Sequence, residues 1–218
     1  MDGTRSRITG MTMDLAPEHD EETRLSAQAV LAQQVRELVD AVVLTDVSED
    51  EMTAVTAELV ALTERLKAAR RDRPPVPELT RGGFRHLGNA VTGACNPHAL
   101  PLVIERDAEG SRADLEFRPT HEGPPDSVHG GVSAMILDHL LGDAAAAAGR
   151  AGMTGTLTIR YRQRVPYGRL VVGRAAATRT EGRKTWVDGT ISLPDGTVLV
   201  EATGLFITPA PWVNAVAE

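Results

Sequence analysis

The sequence predicts an α+β fold in which one long buried helix is wrapped by a curved antiparallel sheet, with an N-terminal αα-hairpin extension. Three observations carry this. Residues 131–148 are apolar nearly all round: Val132, Met135, Ile136, Leu137, Leu140, Leu141 and five alanines from Ala144. A helix apolar on every side is a buried one, and 18 residues span about 27 Å. Four segments of strand character follow, joined by connections short enough for hairpins, so their sheet is antiparallel. Ahead of both lie two stretches with helical spacing of apolar residues, closed by Pro74-Pro75-Val76-Pro77.

In chain order, residues 1–20 are polar, mixed in charge and without period, and read as a disordered tail. Residues 21–72 form the helical hairpin. Leu31, Val35, Leu38 and Val42 recur at helical spacing in its first half. Ser48 with Glu51 is a capping box that opens the second helix. There Met52, Val55, Leu59, Leu62 and Leu66 are spaced 3, 4, 3, 4, a narrow seam of coiled-coil type. Neither helix buries its seam alone, so the hairpin is expected to dock on the main domain, on a partner subunit or on both. Residues 73–92 read as a linker, extended where the prolines cluster.

The main domain is expected over 93–208, with 209–218 as a C-terminal tail. Residues 100–105 and 113–118 read as strands around an Asp-Ala-Glu-Gly turn. After the helix come strands over 154–164, 170–180, 184–193 and 197–207. Pro166-Tyr167-Gly168-Arg169, Glu181-Gly182-Arg183 and Pro194-Asp195-Gly196 supply the turns.

Composition excludes several classes. The 218 residues are 42% hydrophobic, enough for one compact domain with an extension. A net charge of −7 speaks against broad attraction to nucleic acid or anionic membrane. Cys95 is the single cysteine, so no intrachain disulfide and no cysteine-based zinc site forms. That usage fits a cytoplasmic protein. No apolar run nears the roughly 20 residues of a membrane span, and no signal-peptide core is present in residues 1–20. Asp14, Glu18, Asp20, Glu21 and Glu22 argue against a transit peptide.

The segment Glu122-Gly123-Pro124-Pro125-Asp126-Ser127-Val128-His129-Gly130-Gly131 sets a turn, a histidine and two glycines directly before the buried helix. Asp138 then stands two turns inside it. A buried carboxylate is costly unless paired, hydrogen-bonded or protonated. Glycines at a helix entrance leave backbone N–H groups open to a ligand oxygen. This segment, with Cys95-Asn96-Pro97, Glu181-Gly182-Arg183-Lys184 and Glu201-Ala202-Thr203-Gly204-Leu205-Phe206-Ile207, resembles the acyl-CoA thioesterases of the hotdog superfamily. The likeness covers residues 93–208. It is closest to the branch with the phenylacetate-pathway type and the human carboxy-terminal-modulator thioesterase.

The resemblance implies hydrolysis of an acyl-CoA thioester to free acid and CoA. It maps the oxyanion donor onto the N–H of Gly130, with Gly131 beside it on the substrate. Asp138 becomes the general base or the nucleophile. Thr154 matches a threonine that orients water beside the acid; as a strand residue it otherwise reflects β-propensity alone. His129 either binds the thioester side or caps the helix. Arg183 and Lys184 match a nucleotide-binding cluster, and Arg162 is a further candidate for phosphate. His139 and Asp143 read as structural or dimer contacts. No cofactor or metal is implied.

Eight residues separate Gly130 from Asp138, about 12 Å along a helix. Both cannot touch one carbonyl from the same helix, whereas an antiparallel second copy brings one chain's Asp138 to the other's Gly130. A homodimer or dimer of dimers follows, and the family's sites lie at such interfaces. Two rivals stand beside hydrolysis: a hotdog hydratase acting on enoyl thioesters, and a non-catalytic acyl-CoA-binding or interaction module.

Overall fold

The computed structural model describes residues 18–75, 78–80, 83–100 and 102–213. Two helices open the chain, α1 (Glu18–Leu44) and α2 (Glu49–Lys67). A two-stranded ribbon follows, β1 (Glu78–Thr80) on β2 (Gly83–Arg85). The main sheet has six antiparallel strands: β3 (Glu105–Asp107), β4 (Gly110–Glu116), β5 (Met153–Tyr161), β6 (Leu170–Glu181), β7 (Lys184–Ser192) and β8 (Val198–Ile207). Their order is β3-β4-β6-β7-β8-β5, so β5 is an edge. Helix α3 (Gly130–Ala147) crosses the concave face, and the short α4 (Ala210–Val213) ends the described chain.

The α3 helix holds the core together. Ile136, Leu137, Leu140, Leu141 and Ala145 are fully buried, spaced to form one continuous stripe. They meet Leu115, Val171, Val187, Ile191, Val200 and Phe206 from the sheet. Burying each of the larger side chains among these stabilises by about 1.5–3 kcal/mol. Gly189 and Gly204 make room for the helix: a Cβ there would stand 2.7 and 2.9 Å from the methyl groups of Leu141.

Sequence and structure differ in four places. Of the extended run over 100–105, Glu105 is in a strand, whereas residues 100 and 102–104 lie outside the sheet ladder, with Leu100 and Leu102 buried. The stretch 73–92 holds β1 and β2 and buries Leu87 and Val91. On α1 the docked stripe is Leu25, Ala29, Ala32 and Arg36, whereas Leu31 and Val42, from the expected seam, are 43% and 56% exposed. Alanine and an arginine stem cover apolar surface as well as leucine where the approach is close, and apolar spacing alone does not register this. Finally, α2 buries none of its residues and makes no extended contact with α1 or the sheet among the described residues. The expected docking of its seam is therefore not seen among the described residues.

The main domain ties α1 down by polar contacts. Arg118 Nε donates to Asp40 Oδ2 at 2.6 Å, and its Nη2 donates to the carbonyl of Arg36 at 2.8 Å. Arg36 Nη1 in turn donates to the carbonyl of Asn96 at 2.9 Å. The tail expected over residues 1–20 lies outside the described residues up to 17, and residues 18–20 belong to α1. Of the C-terminal tail, 214–218 are outside them too.

Candidate active site

The segment before α3 is a closed turn. Glu122 bridges Val128, Gly123 N–H donates to Ser127 O at 2.9 Å, and Asp126 N–H donates to Glu122 Oε1 at 2.8 Å. Asp126 sits in the left-handed region at φ 60°. Gly123 is required by contact, because a Cβ there would lie 2.7 Å from the Cα of His129. The turn thus fixes where α3 begins. His129 is its N-cap: Nδ1 accepts the N–H of Gly131 at 3.0 Å, and its own N–H donates to His121 O at 2.8 Å. The capping contact that the sequence offered for His129 is present.

Gly130 is the first helical residue, and its N–H donates to no group among the described residues. It points from the positive end of a long helix. Tyr161 Oη donates to Gly130 O at 2.9 Å, and a Cβ on Gly130 would stand 3.1 Å from the tyrosine ring. Gly130, Ser133, Tyr161, Arg162 and Arg164 line a cavity of about 450 Å³. Ser133 is fully buried and its hydroxyl has no partner among the described residues. A buried unpaired hydroxyl is uncommon and costs free energy. Sequence reasoning passed over Ser133 and Tyr161, since a helix serine and a strand tyrosine carry no motif of their own.

Asp138 lines a different cavity, of about 820 Å³, with His139, Gly142, Asp143, Met153, Thr154 and Trp212 among its walls. Thr154 Oγ1 donates to Asp138 Oδ1 at 2.7 Å. Strict alternation from Leu157 and Ile159, which pack on the core, would turn Thr154 away from α3. A β-bulge between Thr154 and Thr156 breaks that alternation. Bulges re-aim side chains in this way, and here the result is a hydroxyl seated on the carboxylate. Residues 138 and 139 are half-buried, and β5 beside them is mostly exposed.

The same cavity holds a second carboxylate in a contrasting state. Burial works to raise the Asp143 carboxyl, but Arg106 and Ser111 outweigh it and hold it below the usual carboxylate range. Arg106 Nε and Nη2 grip Asp143 at 3.0 and 2.5 Å, and Ser111 Oγ donates at 2.6 Å. Both carboxylate oxygens of Asp143 are thereby engaged. Burial pushes His139 below its ordinary value, against the opposing pull of Asp143 and Asp138.

The cation candidates separate. Arg162 is paired with Glu201, Nη2 to Oε2 at 2.8 Å, both side chains remaining partly exposed. The guanidinium of Arg183 donates to the carbonyl of Thr208 at 3.3 Å. Lys184 forms no ion pair among the described residues, and both side chains are exposed at the β6–β7 turn. No group of three or more His, Cys, Asp or Glu is placed to hold a metal among the described residues. Nor is any described helix long and apolar enough to cross a membrane.

The fold and this geometry match known proteins. Residues 126–200 match the family model described as "Thioesterase superfamily". A crystal structure of a thioesterase superfamily protein is 32% identical, covers 83% of this chain and 90% of its own, and superposes with a TM-score of 0.75. The chain belongs to the thioesterase superfamily. Its fold is the hotdog fold of that superfamily. Within the superfamily it is similar to acyl-coenzyme A thioesterase THEM4 of Mus musculus, 41% identical over 91 residues, 41% of this chain and 39% of that one. THEM4 of Bos taurus is 36% identical over 112 residues, 50% of this chain and 46% of that one. The chain spans less than half the length of these curated relatives.

Proposed function

We propose that this thioesterase superfamily member hydrolyses an acyl-CoA thioester to a free acid and CoA. One observation carries the reading: Thr154 seated at 2.7 Å on Asp138, in a wide cavity at the open edge of the sheet. The hydroxyl occupies one lobe of the carboxylate and orients the other toward the cavity. In the base reading, Asp138 takes a proton from water as the water oxygen bonds the thioester carbon. In the nucleophile reading, Asp138 bonds that carbon itself, and water later cleaves the mixed anhydride. Either way the C–S bond breaks, the electron pair leaves on the CoA sulfur, and that sulfur is protonated. Charge developing on the carbonyl oxygen needs a donor, for which the N–H of Gly130 is suited.

Gly130 and Asp138 line separate cavities of one chain. The half-buried face of α3 and the open edge of β5 leave the Asp138 cavity short of a wall. A second copy, related by a two-fold axis, supplies that wall and the Gly130 donor together. The assembly we propose is accordingly a homodimer or dimer of dimers with shared sites. Arg183 and Lys184, exposed and without acidic partners among the described residues, suit the phosphates of CoA. Gly131 supports the loop through His129. The compartment proposed is a reducing cytoplasm, on the single buried thiol of Cys95.

Release of free CoA from a panel of acyl-CoA and enoyl-CoA thioesters tests the reading. Hydrolysis is expected with saturated acyl groups. Hydration of the enoyl substrates without CoA release would assign a hydratase instead, and binding without turnover a non-catalytic module. Single turnover in ¹⁸O-water separates the two roles of Asp138: label entering the carboxylate itself marks the nucleophile.

A further inference from the structure

The α2 helix makes no extended packing with any other element among the described residues. None of its residues is buried. Met52, Leu62 and Leu66 are 45%, 47% and 57% exposed, and the half-buried Val55 and Leu59 complete the same face. The stripe continues onto Val43, Leu44 and Val47 before the helix, all at least 46% exposed. An uncovered apolar stripe of this length marks an interaction site. Local devices are present, namely the Ser48 cap on Glu51 N–H and a Lys67–Glu64 pair at 2.8 Å. Helices nevertheless draw most of their stability from packing an apolar face.

Charge identifies the occupant. The first turn carries Glu49, Asp50 and Glu51; the last carries Arg65 and Lys67, and Arg70, Arg71 and Arg73 follow. A parallel pair of such helices would set acid on acid and base on base. An antiparallel pair sets acid beside base at both ends, from a single sequence. In coiled coils the apolar seam supplies the attraction and flanking charges choose the direction. The spacing is also close to symmetric about Leu59: reversing one helix puts Met52 of each opposite Leu66 of the other, and brings Val55 within one residue of Leu62.

We propose that α2 pairs antiparallel with α2 of a second copy of this chain, seam against seam, across a two-fold axis through Leu59. This interface is separate from the face of α3 and does not depend on the reaction assigned above.

Cysteine placement on the full chain tests it. Cys95 is buried and common to every variant. The variants are Leu59→Cys, Met52→Cys, Leu66→Cys and the double Met52→Cys/Leu66→Cys, each treated with a short bis-maleimide. Antiparallel pairing predicts cross-linked dimer from Leu59→Cys and from the double variant, with none from either Met52→Cys or Leu66→Cys alone. In each single variant the two thiols lie about 21 Å apart along the helix. Adding Leu62→Asp to Leu59→Cys should abolish the cross-link with the circular dichroism of the sheet unchanged, since Leu62 touches no core. Cross-linking by Met52→Cys alone as readily as by Leu59→Cys would mean a parallel pair. No cross-link in any variant would mean a different occupant. Either result overturns the proposal.

Discussion

Asp138 and Asp143 stand five residues apart on one helix and line one cavity, yet their surroundings set them to different tasks. Asp143 is clamped by Arg106 and Ser111, while Asp138 receives a single hydroxyl from Thr154. Replacing Asp138 with Asn keeps the size and removes the basic oxygen. Hydrolysis should fall about 10²-fold or more, the usual worth of a positioned acid–base group, with the fold intact by circular dichroism. Near-wild-type kcat/KM in a folded Asp138→Asn protein would refute the assignment. Thr154→Val should lower kcat with little change in KM, and Thr154→Ser should restore it, because only the hydroxyl is at issue.

The histidine beside them gives a pH signature. Burial holds His139 below its ordinary value of 6.5, so the folded protein takes up this proton less readily than the unfolded chain. Stability from this group is therefore full above the unfolded value and declines as pH falls through about 6.5. Asp143, held below 3.8, contributes stability that is lost only at much lower pH. Melting temperature should accordingly drop between pH 7 and 5, and His139→Gln should flatten that drop. An unchanged slope in the variant would assign the effect elsewhere.

At the scale of elements, α1 and α2 behave differently although both were read as seamed helices. Leu25 of α1 is 7% exposed and packs on Leu87 and Cys95. Leu25→Ala should cost about 2–5 kcal/mol, the range for truncating a buried leucine, read as a lower midpoint of denaturant unfolding. Leu62→Ala on α2 should cost nearly nothing in dilute monomer, since it empties no cavity. A loss at Leu25 no larger than that at Leu62 would show that α1 does not dock.

At the scale of the molecule, the two halves of the proposed chemistry lie in different cavities, so a shared site predicts complementation. Gly130→Pro is a suitable partner for Asp138→Asn. Proline is accepted at the first helical position, His129 has the extended backbone that proline requires of its predecessor (φ −60°, ψ 134°), and the N–H is removed. Each variant alone should be inactive. Mixed after subunit exchange, heterodimers should recover activity, because each retains one site with both groups intact. No recovery after verified exchange would count against a site built from two chains.

The buried helix, the antiparallel sheet and the motif ahead of α3 were legible in the sequence because each rests on local rules. An all-apolar 18-residue run has one stable environment, and hairpin-short turns leave one strand direction. The loop glycines and Asp138 stood out because their cost needs a reason. What the sequence could not show were relations between distant residues. The bulge at Gly155 that turns Thr154 onto Asp138 breaks the very alternation by which strands are read. The Glu201 partner of Arg162 lies across a strand pair, on a register that only the folded sheet sets. On α1, periodicity located apolar residues but not the face that docks, because close approach favoured Ala32 and the stem of Arg36 over Leu31. Burial, pairing and aim are properties of the assembled sheet and helix, and tertiary structure alone decided them.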